Sequence, residues 1–196
     1  MAVDRERVSA LVRELLLAIG EDPDRPGLRA TPQRVAEAYS EFFAGVGEDA
    51  AAPLAHTISV SRGPAPDTLP SGAVMLRDIR FRSICEHHLL PFAGRAHVAY
   101  LPGEQVVGLG ALPRVIDILA ARPQVQERLG EQIADTIAGS LDTRGVLVIL
   151  DAVHECVTMR GGRQPAASTV TIAARGGFAE PSARAEVIAL LTGGGA

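Results

Sequence analysis

Cys85-Glu86-His87-His88-Leu89-Leu90-Pro91-Phe92 lies between two stretches with the composition of β-strands. Ala73 to Phe81, before it, is rich in Val, Leu and Ile; Gly94 to Leu101, after it, alternates well enough for a second strand. The octapeptide therefore reads as a turn or short helical segment that carries a thiol and two imidazoles. Further along, Leu112 with Pro113 opens a helix through Ala121, and Pro123 starts a longer one through about Leu141. Gly145 ends that connection, and Val146 to Met159 contains two runs of strand character. Thr169 to Arg175 is a further strand, and Ser182 to Leu191 closes the chain as a helix ahead of a Gly-rich tail.

On the N-terminal side, Gly45 to Gly72 shifts to Ala, Pro, Ser and Gly. Pro64, Pro66 and Pro70 make it a loop with at most one short strand, around His56 to Val60. Before it, Val8, Leu11, Val12, Leu15, Leu16 and Ile19 follow helical spacing, and Gly20 supplies the stop. After a turn-rich stretch, Glu21 to Ala30, Thr31 reads as N-cap and Pro32 as first residue of a second helix through about Phe43. The order of elements predicts an α+β fold with a mostly antiparallel sheet. It also predicts three segments: a helical piece over 1–45, a Pro/Ala-rich linker over 46–72 and a main body over 73–196.

The chain has 196 residues, of which 47% are apolar and 4% aromatic, so the core must be built from Val, Leu, Ile and Ala. A formal net charge of -4 argues against a general nucleic-acid or membrane-surface binder. No stretch approaches the roughly 20 apolar residues of a membrane span. Met1 to Glu6 is charged and leads into an amphipathic helix, so a cytoplasmic location is expected.

The two cysteines, Cys85 and Cys156, make a poor disulfide in a reducing compartment. A pair of inert buried thiols is the plain reading, but the neighbours weigh against it. Cys85 precedes His87 and His88, and Cys156 follows His154, so three of the five histidines lie within three residues of a cysteine. Thiolate sulfur and imidazole nitrogen are zinc ligands, and a catalytic zinc keeps one of four tetrahedral positions open. Cys85, His88 and Cys156 are the expected ligands. His87 and His154 are left for proton transfer, as fourth ligand of a closed site, or as polar groups bonded in the core. His56 and His97 have no thiol near them in sequence and are read as structural.

These residues resemble the GTP cyclohydrolase I family. The resemblance rests on Cys85-Glu86-His87-His88, on Arg122-Pro123-Gln124-Val125-Gln126-Glu127-Arg128-Leu129, and on His154-Glu155-Cys156 with Met159-Arg160-Gly161. Gly20-Glu21-Asp22-Pro23 and Thr31-Pro32-Gln33-Arg34-Val35-Ala36 are similar too, so the match is colinear from about residue 5 to 191. It implies a tunnelling fold and a homo-oligomer, usually a decamer of two pentamers, with active sites at subunit interfaces. By position it assigns Zn2+ to Cys85, His88 and Cys156, and acid/base work to His87 and His154. Reading of the guanine edge falls to Glu127 helped by Gln126, since a carboxylate can accept from two adjacent N–H donors. The implied reaction is hydrolysis at C8 of the purine, ring opening to a formamide, release of formate, then sugar rearrangement and closure to a dihydropterin.

The chain departs from the family pattern on the phosphate side. A Gly-Leu-Ser-Lys element there reads Gly108-Leu109-Gly110-Ala111, and a lysine of the second helix is replaced by Glu37. Arg34, Arg114 and Arg160 remain, with Arg163 as a further compensating cation. The departure admits a specialised homologue acting on a guanine nucleoside, guanine or 8-oxoguanine without triphosphate, and stopping at ring opening. A non-catalytic, zinc-scaffolded oligomer is a rival that His87, His154 and Glu127 count against, because scaffolding needs none of them. A nitrile-reducing relative of the fold is disfavoured, because its cysteine nucleophile works without zinc.

Overall fold

A computed structural model of the chain describes residues 3–60, 72–160 and 164–192. It divides into two compact units, Met1–Glu48 and Asp49–Ala196. The expected loop prolines at 64, 66 and 70, together with Gly161, Arg163 and the tail from 193, lie outside the described residues.

The first unit packs α1 (Arg5–Ala18) against α2 (Thr31–Phe42). Asp4 caps α1 by accepting from the Arg7 N–H at 2.9 Å, satisfying one of the free donors of the first turn. The cap expected of Thr31 is not formed. Ala30, already in a helical conformation, takes the N-cap place, and no side chain bonds the exposed donors. Pro32 lacks one of those donors and has φ preset, which favours the start without a cap.

The second unit is built on a five-stranded sheet in the order β5-β2-β3-β6-β7. Its strands are β2 (Val74–Cys85), β3 (Pro91–Pro102), β5 (Pro123–Gln124), β6 (Thr143–His154) and β7 (Thr169–Gly176). β1 (Thr57–Ser59) and β4 (Gln105–Val107) form a separate two-stranded pair, so residues of the expected linker are ordered here. All pairings in the large sheet are antiparallel except β2 with β5. α3 (Ala111–Ala120) and α4 (Gln126–Ser140) cover one face. There Leu112, Val115, Ile116, Leu129, Ile133 and Ile137 meet Val98, Val146, Val148 and Leu150. Each such aliphatic side chain contributes roughly 1.5–3 kcal/mol on full burial. The other face holds a smaller cluster in which α6 (Pro181–Thr192) sets Val187 and Leu191 near Leu101, Leu147 and Phe178.

Two further expectations are corrected, and both of these corrections shape the site. Pro123 does not start a helix. Pro123–Gln124 pair with Ile84–Cys85 as a parallel strand, Val125 stays extended, and α4 begins at Gln126. The Gln124 side chain anchors the segment by donating to Leu119 O at 3.0 Å and Gln132 Oε1 at 2.8 Å. Val146 to Met159 is likewise one strand followed by a single helical turn, α5 (Glu155–Thr158), so Cys156 stands on a helical turn and not on a strand.

Candidate metal centre and active site

Antiparallel pairing brings the ends of three strands to one edge. Ile84 of β2 faces Pro91 of β3, and Phe92 of β3 faces His154 of β6. The Cys85 turn and the Cys156 turn, distant in sequence, are thereby neighbours. Gly94 allows the close pairing, since a Cβ there would lie 1.9 Å from Asp151 O. Phe81 and Phe92 pack edge to face at 6.1 Å beneath this edge.

The Cys85 turn is closed by its own backbone. The Cys85 N–H donates to Leu90 O and the Leu89 N–H to Cys85 O, both at 2.9 Å. Leu89 takes a left-handed conformation, φ 53°, which costs a non-glycine residue on the order of 1 kcal/mol. Glu86 fastens the turn to the helical layer. Its N–H donates to Gln124 O at 2.9 Å, and its carboxylate receives both arms of Arg128, at 2.5 and 3.1 Å. The Arg128 guanidinium holds the Glu86 carboxyl below its ordinary range.

Within this frame the ligand atoms of Cys85, His88 and Cys156 all lie within 4.8 Å of one another. Ligands at 2.0–2.3 Å from a tetrahedral ion are separated by roughly 3.3–3.8 Å, so a small contraction closes the set around one ion. Two sulfurs and one imidazole suit a zinc-like cation. Cys85 is buried, Cys156 half-buried and His88 exposed, which leaves the cluster open on the imidazole side. Burial, and then the neighbouring Cys85 sulfur, push the Cys156 thiol up; a bound cation reverses that balance by stabilising both thiolates.

A family model described as GTP cyclohydrolase I matches residues 8–192. The GTP cyclohydrolase 1 of Leifsonia xyli subsp. xyli is 64% identical over 193 residues, covering 98% of each chain. That of Corynebacterium glutamicum strain R is 50% identical, over 97% of this chain and 94% of its own. The chain belongs to the GTP cyclohydrolase I family. Among solved structures, archaeosine synthase QueF-Like in the apo form aligns with a TM-score of 0.43 and 15% identity, over 54% of this chain and 95% of its own.

The other residues that the GTP cyclohydrolase I signatures single out are distributed unevenly. His154 ends β6, stacked flat on Phe92 with ring centroids 4.5 Å apart and planes 4° from parallel. Its Nε2 lies 2.7 Å from Gln126 Oε1. Burial lowers its pKa, and the charge of nearby Glu127 opposes that shift. His87 is exposed beside His88, with Nε2 3.9 Å from Glu86 Oε1. Glu127 stands exposed in the first turn of α4. Gln126 is buried, with Nε2 within 3.3 Å of Leu150 O, Thr169 O and Thr171 Oγ1, so its amide nitrogen faces β6 and β7 while its oxygen faces His154.

Of the residues expected to meet the phosphates, Arg114 of α3 and Arg160 after α5 are exposed. Gly110 is the N-cap of α3, and a Cβ added there meets nothing within 4 Å. Arg34 and Glu37 belong to the first unit, where Glu37 accepts from Gln33 at 3.3 Å. Sequence reasoning gave no role to Glu86, Arg128 or Phe92, although Glu86 and Arg128 lie inside the quoted motifs. A charge pair across two motifs was the available signal. Among the described residues no helix is long and apolar enough to cross a membrane.

Proposed function

We propose that this protein is a zinc-dependent GTP cyclohydrolase that converts GTP and one net water into a dihydropterin triphosphate and formate. The observation that carries the reading is the convergence of Cys85, His88 and Cys156 within 4.8 Å, in a chain matched to the family from residue 8 to 192. Zinc, when bound by the two thiolates and the imidazole, supplies the Lewis acidity that makes water a nucleophile near neutral pH.

The chain's own groups do the rest. Glu127, exposed in the first turn of α4, accepts from N1–H and the 2-amino group of guanine and sets C8 toward the metal. Water adds at C8, and the C8–N9 bond breaks as a proton is delivered to N9, giving the formamide. A second water cleaves the formamide C–N bond, so formate leaves and N7 is released as an amine. After sugar rearrangement that amine closes on the carbonyl and one water is expelled, which leaves one water consumed overall. His87 and His154 flank the metal turns and carry these protons. Arg114, Arg160 and Arg34 hold the phosphates.

The protein works in the cytoplasm as a homo-oligomer, a decamer of two pentamers with the site completed between subunits. Supporting this, Leu11, Leu15 and Ile19 of α1 are 58–65% exposed, and Val170 and Ile172 lie exposed on the edge strand β7.

A second reading, a guanine compound without the triphosphate as preferred substrate, is favoured by Gly110, Ala111 and Glu37. The two readings separate on kcat/KM for GTP against guanosine, guanine and 8-oxoguanine, with formate and the organic product detected by mass. GTP as the best substrate supports the first; any of the others above GTP supports the second.

A further inference from the structure

Gln126 lies under the candidate site with every polar atom of its side chain engaged. Its Nε2 sits 3.0 Å from Leu150 O, 2.8 Å from Thr169 O and 3.3 Å from Thr171 Oγ1, and its Oε1 sits 2.7 Å from His154 Nε2. The residue is 1% exposed. Two of the oxygens around Nε2 are backbone carbonyls, which only accept. Rotating the amide by 180° would set Oε1 against both carbonyls and abandon two buried hydrogen bonds, so the orientation is fixed by elimination. An oxygen in that position can only accept. His154 must therefore present N–H at Nε2, and in its neutral form the lone pair is at Nδ1. Phe92, stacked 4° from parallel at 4.5 Å, removes the remaining freedom of the ring plane.

We infer that Gln126 is a positioning residue that locks His154 in the Nε2–H tautomer and leaves Nδ1 as the ring nitrogen with the free lone pair. The inference rests on the proposed function for the use to which His154 is put, but not for the tautomer itself. It replaces a base-reading role for Gln126 with one exercised through another residue. Leu150, Thr169 and Thr171 become part of the device, because β6 and β7 supply the oxygens that decide which end of the amide faces the imidazole.

The test has two arms on zinc-loaded, full-length protein. In the first, long-range 1H–15N spectra of ring-labelled wild-type protein at pH 8 assign the His154 nitrogens; the expected pattern is a protonated Nε2 and an unprotonated Nδ1. In the second, Gln126→Met and Gln126→Glu are compared with wild type in steady-state assays with GTP. Gln126→Met is expected to lower kcat about 10–100-fold with KM within about twofold, the scale on which loss of an orienting partner of a metal-bound histidine lowers activity. Metal content should be unchanged. Gln126→Glu keeps an oxygen toward Nε2 but sets its second oxygen against the Leu150 and Thr169 carbonyls, so it is expected to lose kcat as Gln126→Met does, and full kcat in this variant would overturn the fixed orientation. A wild-type spectrum with the proton on Nδ1 overturns the inference. So does a Gln126→Met enzyme whose KM rises while kcat holds, because that is the signature of lost base binding. If the variants do not fold, the wild-type spectrum still decides. A correct tautomer in a protein that turns over no guanine compound would instead refute the proposed function and leave the Gln126 assignment standing.

Discussion

Replacing Cys156 by Ala should remove the metal and, with it, a measurable part of the stability of the second unit. The proposed ligands come from two separate elements, the Cys85 turn after β2 and the helical turn α5, so the cluster exists only in the folded chain. A ligand that binds only the native state stabilises it by RT ln(1 + [L]/Kd), about 2.7 kcal/mol at a free concentration of 100 Kd. Loss of one of three protein ligands is taken to weaken binding by at least 100-fold, the upper end of what the loss of a mere supporting contact costs. At the same free zinc the term then falls to about 0.4 kcal/mol, a loss of about 2.3 kcal/mol. For a domain the size of Asp49–Ala196 each kcal/mol shifts Tm by about 2–4 °C, so a drop of roughly 5–9 °C is expected. The assay is calorimetry in a zinc buffer at fixed protomer concentration, paired with metal analysis. Comparing wild type and variant after chelation isolates the packing effect of the lost sulfur. The reasoning fails if Cys156→Ala keeps one zinc per chain, or if chelation lowers its Tm as much as it lowers that of wild type.

Other outcomes follow from the same geometry. His87→Ala and His154→Ala are expected to keep zinc and lose about 10²–10⁴-fold in turnover, read by metal analysis and initial rates; loss of zinc in either would make that histidine a ligand. The triple change Gly110→Ser, Ala111→Lys and Glu37→Lys should raise kcat/KM for GTP relative to guanosine. The open space around Gly110 admits the serine, and the change adds three positive charge units toward a polyanion. An unchanged ratio would show that Arg34, Arg114 and Arg160 already suffice. Light scattering at micromolar concentration should give a closed homo-oligomer; an active monomer would contradict a shared site.

Much of this was legible because the chemistry is concentrated in short motifs. The five histidines and two cysteines sort themselves by neighbourhood, and the cluster that folding assembles is the one their spacing suggested. Apolar alternation likewise marked β3, richness in Val, Leu and Ile marked β2, and Leu112 with Pro113 marked α3. What sequence could not carry was long-range capture. Pro123 reads as a helix start on local grounds, and only the edge of β2, which the sequence does not display, draws it into a strand. Val146 to Met159 reads as two runs of strand character, yet β6 ends at His154, where the chain turns and presents Cys156. The burial of Gln126 was hidden for the same reason. Beside Glu127 in sequence it looks like a second reader of the base, but successive helical residues point in different directions, and its direction is into the sheet.

The most direct measurement is a single incubation of zinc-loaded protein with GTP, quantifying formate and the pteridine product together over time. Both are expected to appear in equal amounts, to require the metal, and to form at least about 100-fold more slowly in His154→Ala. Ring opening without formate, or no reaction with GTP under conditions where another guanine compound is consumed, would contradict it.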